Sequence, residues 1–438
     1  MLKNNFCSSP WFHLKINPAG YYVSCRWDIP GTVSNFHIAT TSLIEYMNTD
    51  MMRQLRVELL NGQSPTICKS CRYEDSLNKL SGRQRQLLKS GIQVEHFIKT
   101  FCSSLHWEHF QYSYENQGYT LNSPIDLQID LGNTCNSACI MCPPMYSSRL
   151  AKDYKKLHEL QPLLFNLPNN YSNWSDNPDL IEKFINDLDK IPNVQYIHFL
   201  GGETLYLKSF YDICNKLIDN GSAENISLGT TTNCTVYTLE LENIIRKVKQ
   251  FHLGLSIESV LPLNDYIRYP SKIHIVLDNI NKFLALRETT NLHLSLRITP
   301  NILSIYHIDT IFEFMIKHSI TAESCNVLQD PSCLRLELLP KEIIKKIINK
   351  IDKLIDKYKL TPNNQIISNR RRDDLIDLVI VDIIFEYKHL LETYQEPENI
   401  EQERYNLIKF LKAFESIRNN NIIEYLPEYE EFLRSYGY

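Results

Sequence analysis

From residue 124 onward the chain alternates short apolar runs with longer segments whose apolar residues recur every three or four positions. The runs 125–131, 194–200, 226–232, 251–257 and 292–298 read as strands, and 324–328 reads as a sixth, less regular one. Between them, segments 178–191, 207–220, 239–250, 277–289 and 308–318 carry helical spacing. Buried-looking strands that alternate with helices imply a parallel α/β sheet, closed or partly closed, with helices outside. In such a frame the chemistry collects at the carboxyl ends of the strands.

The flanks follow other patterns. Residues 1–75 are rich in Cys, Pro, Trp and Gly, with strand-like runs at 11–16 and 21–25 around the turn Pro18-Ala19-Gly20, and suggest a small, locally stapled module. A connector at 76–123 holds a polar, helix-like stretch (78–99) and a Tyr/Asn/Gly-rich segment (112–123). The repeat region spans 124–340. Beyond it, Ile343, Ile344, Ile347, Ile348, Ile351, Leu354 and Ile355 share one helical face, and helical stretches follow at 375–391 and 405–417. The region 341–438 is therefore expected to be a helical appendage that packs on the barrel or a partner, or docks substrate.

At 438 residues and 43 % hydrophobic, the chain can bury at least one large core. A formal charge of −5 gives no basic field of the kind that binds nucleic acid. The start has neither the charged segment nor the apolar stretch of a secretory signal, and no run reaches the roughly 18 apolar residues of a membrane span. A cytoplasmic protein without a membrane partner is expected. The 12 cysteines then point to metal or reactive thiols rather than a disulfide framework, because thiols stay reduced there.

Three of those thiols, Cys135, Cys139 and Cys142, lie within eight residues, immediately after the first strand of the repeat. Thiolates are soft ligands for zinc or iron-sulfur clusters, and three of them on a 4Fe-4S cube leave one iron open. Structural zinc, the alternative, usually takes four protein ligands. The C-x3-C-x2-C spacing resembles the signature of the radical S-adenosylmethionine superfamily, and the resemblance runs over 124–330. It implies a partial (β/α)6 TIM-like barrel and a 4Fe-4S cluster whose open iron takes the methionine amino and carboxylate groups of S-adenosylmethionine. Electron donation, from a partner such as flavodoxin or ferredoxin, then yields a 5′-deoxyadenosyl radical that abstracts hydrogen from unactivated carbon. Gly201-Gly202-Glu203 resembles the family's Gly-Gly-Glu element, in which glycines let the backbone approach the cofactor's amino group. Thr204 follows where the family commonly has Pro. By the same resemblance Thr232, Asn233, Ser256, Glu258 and Arg268 are expected around the cofactor's carboxylate and ribose, with Thr299 and Asn301 near ribose or adenine; Arg suits a carboxylate because its fork pairs bidentately.

The amino-terminal cysteines form a second set. Cys7 and Cys25 flank Gly20 in a C-x12-G-x4-C pattern, and Cys68 and Cys71 form a C-x2-C pair. Four thiols make a complete shell for an iron-sulfur cluster or for zinc. The pattern resembles the auxiliary-cluster modules called SPASM and twitch. Here the module comes first, as in a subgroup with a Cys-x2-Pro-Trp start (Cys7 to Trp11) and an arginine-rich helix (Arg53, Arg56) before the C-x2-C pair; the resemblance implies an auxiliary 4Fe-4S cluster. Cys102, Cys214 and Cys234 lack partners at ligand spacing and are expected as structural thiols, with Cys102 also a candidate spare ligand.

Cys325 and Cys333 lie at and beyond the last strand, on the edge expected to face the active site. A thiol there can return hydrogen to a substrate radical and invert a stereocentre, as in the radical peptide epimerases this arrangement resembles; two packing cysteines are the plainer reading. The expected function is a radical maturase acting on a ribosomally made precursor peptide, with Cα epimerisation and Cys333 as donor. Other peptide modifications that pass an electron to the auxiliary cluster, a small-molecule or sugar dehydrogenase, and a non-catalytic metal-cluster scaffold stay open.

Overall fold

A computed structural model of the chain describes residues 5–25, 32–76, 81–89, 105–121, 123–168, 172–191, 193–322, 328–362 and 380–438. Its frame is a nine-stranded sheet: β1 (His13–Ile16), β2 (Tyr21–Val23), β3 (Val33–His37), β4 (Asp126–Asp130), β5 (Tyr196–Leu200), β6 (Ser227–Thr232), β7 (Phe251–Leu255), β8 (Leu292–Leu296) and β9 (Thr321–Ala322). The order is β3-β2-β1-β4-β5-β6-β7-β8-β9, parallel from β4 to β9. Six parallel strands with helices between them are the α/β frame that the alternation predicts. The sixth begins earlier than expected, at Thr321, and residues 323–327 lie outside the described segments.

The amino-terminal region is more than a local module. β1 pairs parallel with β4, setting Lys15 opposite Gln128 and His13 opposite Asp126, while β2 and β3 continue outward as an antiparallel meander. The cysteine-rich hairpin thus extends the main sheet. Trp11 packs edge-on against Phe110 and donates from Nε1 to Ser113 Oγ at 2.8 Å, tying this region to the helix Leu105–Glu115. That helix overlaps the segment read from sequence as a connector. Arg56, in the helix Asp50–Leu60, is fully buried and donates to the carbonyls of Pro10 (3.0 Å), Gly118 (2.8 Å) and Met47, so it staples the module.

Each central strand alternates. Leu127, Ile129, Ile197, Phe199, Leu253, Leu255, Leu294 and Leu296 occupy one face and join the core under the helices. The other face carries Asp126, Gln128, Asp130, His198, Thr231, His252, His293 and Ser295, in register across the strands. Tyr196 Oη meets His198 Nδ1 at 2.7 Å, and His198 Nε2 meets Thr231 Oγ1 at 3.3 Å. Period-two alternation puts these polar groups inside the curve of the sheet.

Outside lie the helices Pro178–Leu188, Lys208–Asp219, Leu239–Lys247, Ile273–Arg287 and Ile308–His318, close to the expected spans. Their starts are set locally: Asn177 and Thr238 accept from Asp179 N and Leu241 N as N-caps. Ser148–Leu160, not anticipated from the pattern, starts directly after the three-cysteine loop with Ser147 as its cap. In the carboxyl-terminal region, Lys341–Tyr358 buries Ile343, Ile344, Ile347, Ile351 and Leu354 and packs on Ile308–His318 and Ile380–Thr393. Ile400–Arg418 lies on Ser148–Leu160, where Phe165 stacks on Phe410 with centroids 5.2 Å apart. The appendage therefore packs on the barrel. No helix among the described residues is long and apolar enough to cross a membrane.

Candidate active site

The loop after β4 is held on several sides before any cofactor is considered. Ala138 N and Ile140 N donate to the carbonyls of Tyr269 (2.7 Å) and Ile267 (2.8 Å). Asn233 Nδ2 reaches Asn136 Oδ1 (2.8 Å) and Ser137 Oγ (3.0 Å), joining the loop to the end of β6. From the far end of the chain, buried Arg418 donates to Ala138 O at 2.6 Å and to Asp153 at 3.0 Å. The loop is thus fixed by backbone and by two helices.

Gly201 and Gly202 serve this packing. Gly201 has φ +112°, and a Cβ on either residue would collide with the backbone of Gly132 or Thr134. Gly202 N and Glu203 N donate to Gly132 O (2.9 Å) and Thr134 O (3.0 Å). Close approach to a neighbouring loop therefore demands these glycines, whether or not a ligand also comes near.

A cavity of about 520 Å³ opens at the carboxyl edge, lined by Cys135, Cys139 and Cys142 together with Gly201, Gly202, Glu203, Thr232, Asn233, Ser256, Arg268 and Thr299. Most of the sequence-predicted cofactor residues thus meet in one place. Glu258 and Asn301 stand behind it. Glu258 pairs with Arg268 at 2.7 Å and accepts from Thr299 N at 3.1 Å, while Arg268 also lies 3.7 Å from Cys139 Sγ. Asn301 is fully buried and spends its side chain on Leu303 N (3.0 Å) and Thr299 O (3.3 Å), bracing the turn that carries Thr299. Glu203 accepts from Thr232 Oγ1 (2.7 Å), Asn233 N (2.6 Å) and Leu205 N (3.3 Å). Burial pushes the carboxyls of Glu203 and Glu258 each up to about 7, against the pull of those donors and of Arg268.

The three thiols are suited to a cluster. Burial pushes Cys135 up to about 12 and raises Cys139 and Cys142 as well, so these desolvated sulfurs ionise only beside strong positive charge. Among the described residues, no three Cys, His, Asp or Glu side chains converge tightly enough for a single metal ion. Three soft donors spread around an open cavity match the corners of a 4Fe-4S body better than a tetrahedral zinc. At the other end of the sheet, Cys7, Cys25, Cys68 and Cys71 also gather. Burial is the main cause of the raised Cys7 thiol, and repulsion from Cys25, Cys71 and Cys68 adds to it; Cys68 and Cys71 rise to about 12 and about 11. These four thiols are near enough to raise one another electrostatically, and four is the number of protein ligands that a complete 4Fe-4S shell takes.

The remaining cysteines divide. Cys214 and Cys234 are fully buried, as structural thiols should be. Cys333 lies in the turn Ser332–Leu334, only 4 % exposed, and is not among the cavity-lining residues; its neighbours Leu328 and Asp330 are. Cys102 and Cys325 fall outside the described residues. Sequence reasoning missed Lys15, Gln128 and Asp130, which line the cavity from β1 and β4. The polar alternation of 126–130 inside an apolar run was the available signal.

Comparison with known proteins agrees with this arrangement. The model of the radical SAM superfamily matches residues 129–300, and the iron-sulfur cluster-binding domain SPASM matches residues 7–72. No curated protein matches the chain. Among solved structures, Streptococcus suis SuiB bound to the precursor peptide SuiA is 14 % identical with a TM-score of 0.36, the match covering 67 % of this chain and 60 % of that one. SuiB bound to S-adenosylmethionine is 13 % identical with a TM-score of 0.37, covering 82 % and 71 %. Native anSMEcpe with bound AdoMet is 15 % identical with a TM-score of 0.37, covering 54 % and 62 %. The chain therefore carries a radical SAM domain over residues 129–300 and a SPASM domain over residues 7–72, and these two domains imply 4Fe-4S clusters.

Proposed function

We propose that Cys135, Cys139 and Cys142 hold a 4Fe-4S cluster and that the chain uses it, with S-adenosylmethionine, to remove hydrogen from a precursor peptide. The reading rests on one observation: those thiols, Gly201 to Glu203 and Arg268 share one cavity. When bound, cluster and cofactor supply a 5′-deoxyadenosyl radical. The chain's own residues orient. Arg268, held by Glu258, would offer its guanidinium to the cofactor carboxylate. Thr232, Ser256 and Thr299 offer polar groups at three successive strand ends, and Asn301 fixes the last of them. Cys7, Cys25, Cys68 and Cys71 would hold the auxiliary 4Fe-4S cluster. Flavodoxin or ferredoxin is the proposed class of electron donor.

Within this class the product is proposed to be a Cα epimer, with Cys333 or Cys325 returning the hydrogen. The burial of Cys333 and its absence from the cavity lining favour, as a second reading, a crosslink or excision in which the auxiliary cluster takes the substrate electron. Anaerobic reconstitution should give about eight irons per chain. Dithionite and S-adenosylmethionine should then release 5′-deoxyadenosine; a scaffold or zinc protein releases none. Once a peptide is processed, deuterium oxide should leave one deuterium per altered residue, lost in Cys333→Ala or Cys325→Ala. Unlabelled product points to the second reading.

A further inference from the structure

The cavity has a polar floor that the cofactor residues do not use. Lys15 comes from β1, Gln128 and Asp130 from β4, on the opposite side of the sheet order from the ends of β6, β7 and β8. Lys15 is 3 % exposed and Asp130 1 %, and Lys15 Nζ stands 3.5 Å from Asp130 Oδ2. A buried ion pair gains little stability over an apolar pair of similar volume, so its place on a cavity wall calls for another reason. Met141 and Leu328 supply apolar surface to the same cavity.

We infer that Lys15, Gln128 and Asp130 bind an uncharged amide of the substrate, Lys15 donating to its carbonyl and Asp130 or Gln128 accepting from its N–H. The pair is neutral as a unit. A carboxylate would gain from Lys15 what it loses to Asp130, and an ammonium the reverse. A donor beside an acceptor instead complements an amide, which presents one of each. The inference takes the cavity as the site of the proposed reaction and deepens that reading by naming what the substrate presents to it. It also gives the amino-terminal domain a direct part in substrate binding through β1.

The test is binding, which needs no turnover. Full-length protein, reconstituted anaerobically with S-adenosylmethionine and without reductant, is titrated by saturation-transfer NMR with N-acetylglycine N-methylamide and with propionamide. Acetate and methylammonium serve as charged controls. Wild type should bind an amide probe saturably and more tightly than either ion. The double variant Lys15→Met/Asp130→Asn, which removes both charges of the pair together, should bind it at least tenfold more weakly, and Gln128→Leu severalfold more weakly. Preference for N-acetylglycine N-methylamide assigns a backbone amide, and preference for propionamide an Asn or Gln side chain. Equal affinity in the double variant, tighter binding of an ion, or no saturable amide binding to wild type overturns the inference. Failure to release 5′-deoxyadenosine would sink the proposed reaction alone.

Discussion

The two cysteine sites sit on one sheet and differ in what surrounds them. Cys135, Cys139 and Cys142 emerge from the carboxyl end of β4 into an open cavity bordered by Arg268, Glu203 and Lys15. Cys7, Cys25, Cys68 and Cys71 gather beside the antiparallel edge, with a fourth thiol where the first site has space. The open site is braced from afar by Arg418 and the 267–269 segment, whereas Arg56 staples the closed one through backbone carbonyls. If both sites hold clusters as proposed, ligand count would separate a site that can admit a cofactor from one that can only hold its metal.

The sharpest way to break this contrast is to remove one ligand from each site. Cys139→Ala should lower 5′-deoxyadenosine release at least a thousandfold, while Cys71→Ala should keep cofactor cleavage yet lose about half the iron. Equal loss of cleavage in both variants would mean the two sites are not separable. A smaller effect is expected at the brace. Arg418→Met removes the hydrogen bonds to Ala138 and Asp153 and should cost about 1–3 kcal/mol in denaturant unfolding, with faster iron loss from the open site. Unchanged stability and iron retention would show that the loop holds itself.

A pH slope is also expected in the metal-free protein. Glu203 and Glu258 have folded values near 7 against an ordinary 4.5, so the folded state binds protons more readily. Their contribution is full below about 4.5 and is lost as pH rises through about 7. Urea midpoints measured from pH 5 to 8 should therefore fall, and Glu258→Gln should flatten the slope. A midpoint that rises over this range contradicts the burial assigned to these carboxyls.

Much of this was legible because it is local. Strand runs and helical faces follow from periods of two and 3.6, and the C-x3-C-x2-C loop lies within a few residues of its strand. Contacts that join distant segments were not. Nothing in His13 to Ile16 announces that β1 will pair with β4 and carry Lys15 to the cavity. Arg418 meets Ala138 across 280 residues, a pairing no window of sequence can display. Glycines 201 and 202 were readable as a special backbone site, but the loop at 132–134 that requires them was not. The strand 126–130 alternates polar and apolar residues, yet all five are buried, because its two faces meet different surroundings inside the fold.

The most direct measurement is electron paramagnetic resonance of the Cys68→Ala/Cys71→Ala variant, reconstituted anaerobically and reduced with dithionite, so that only the three-cysteine site can hold a cluster. A reduced 4Fe-4S signal should appear and change on addition of S-adenosylmethionine, as an open iron gains a ligand. A signal that the cofactor leaves unaltered, or no signal from a variant that still folds, would contradict an open cluster at Cys135, Cys139 and Cys142.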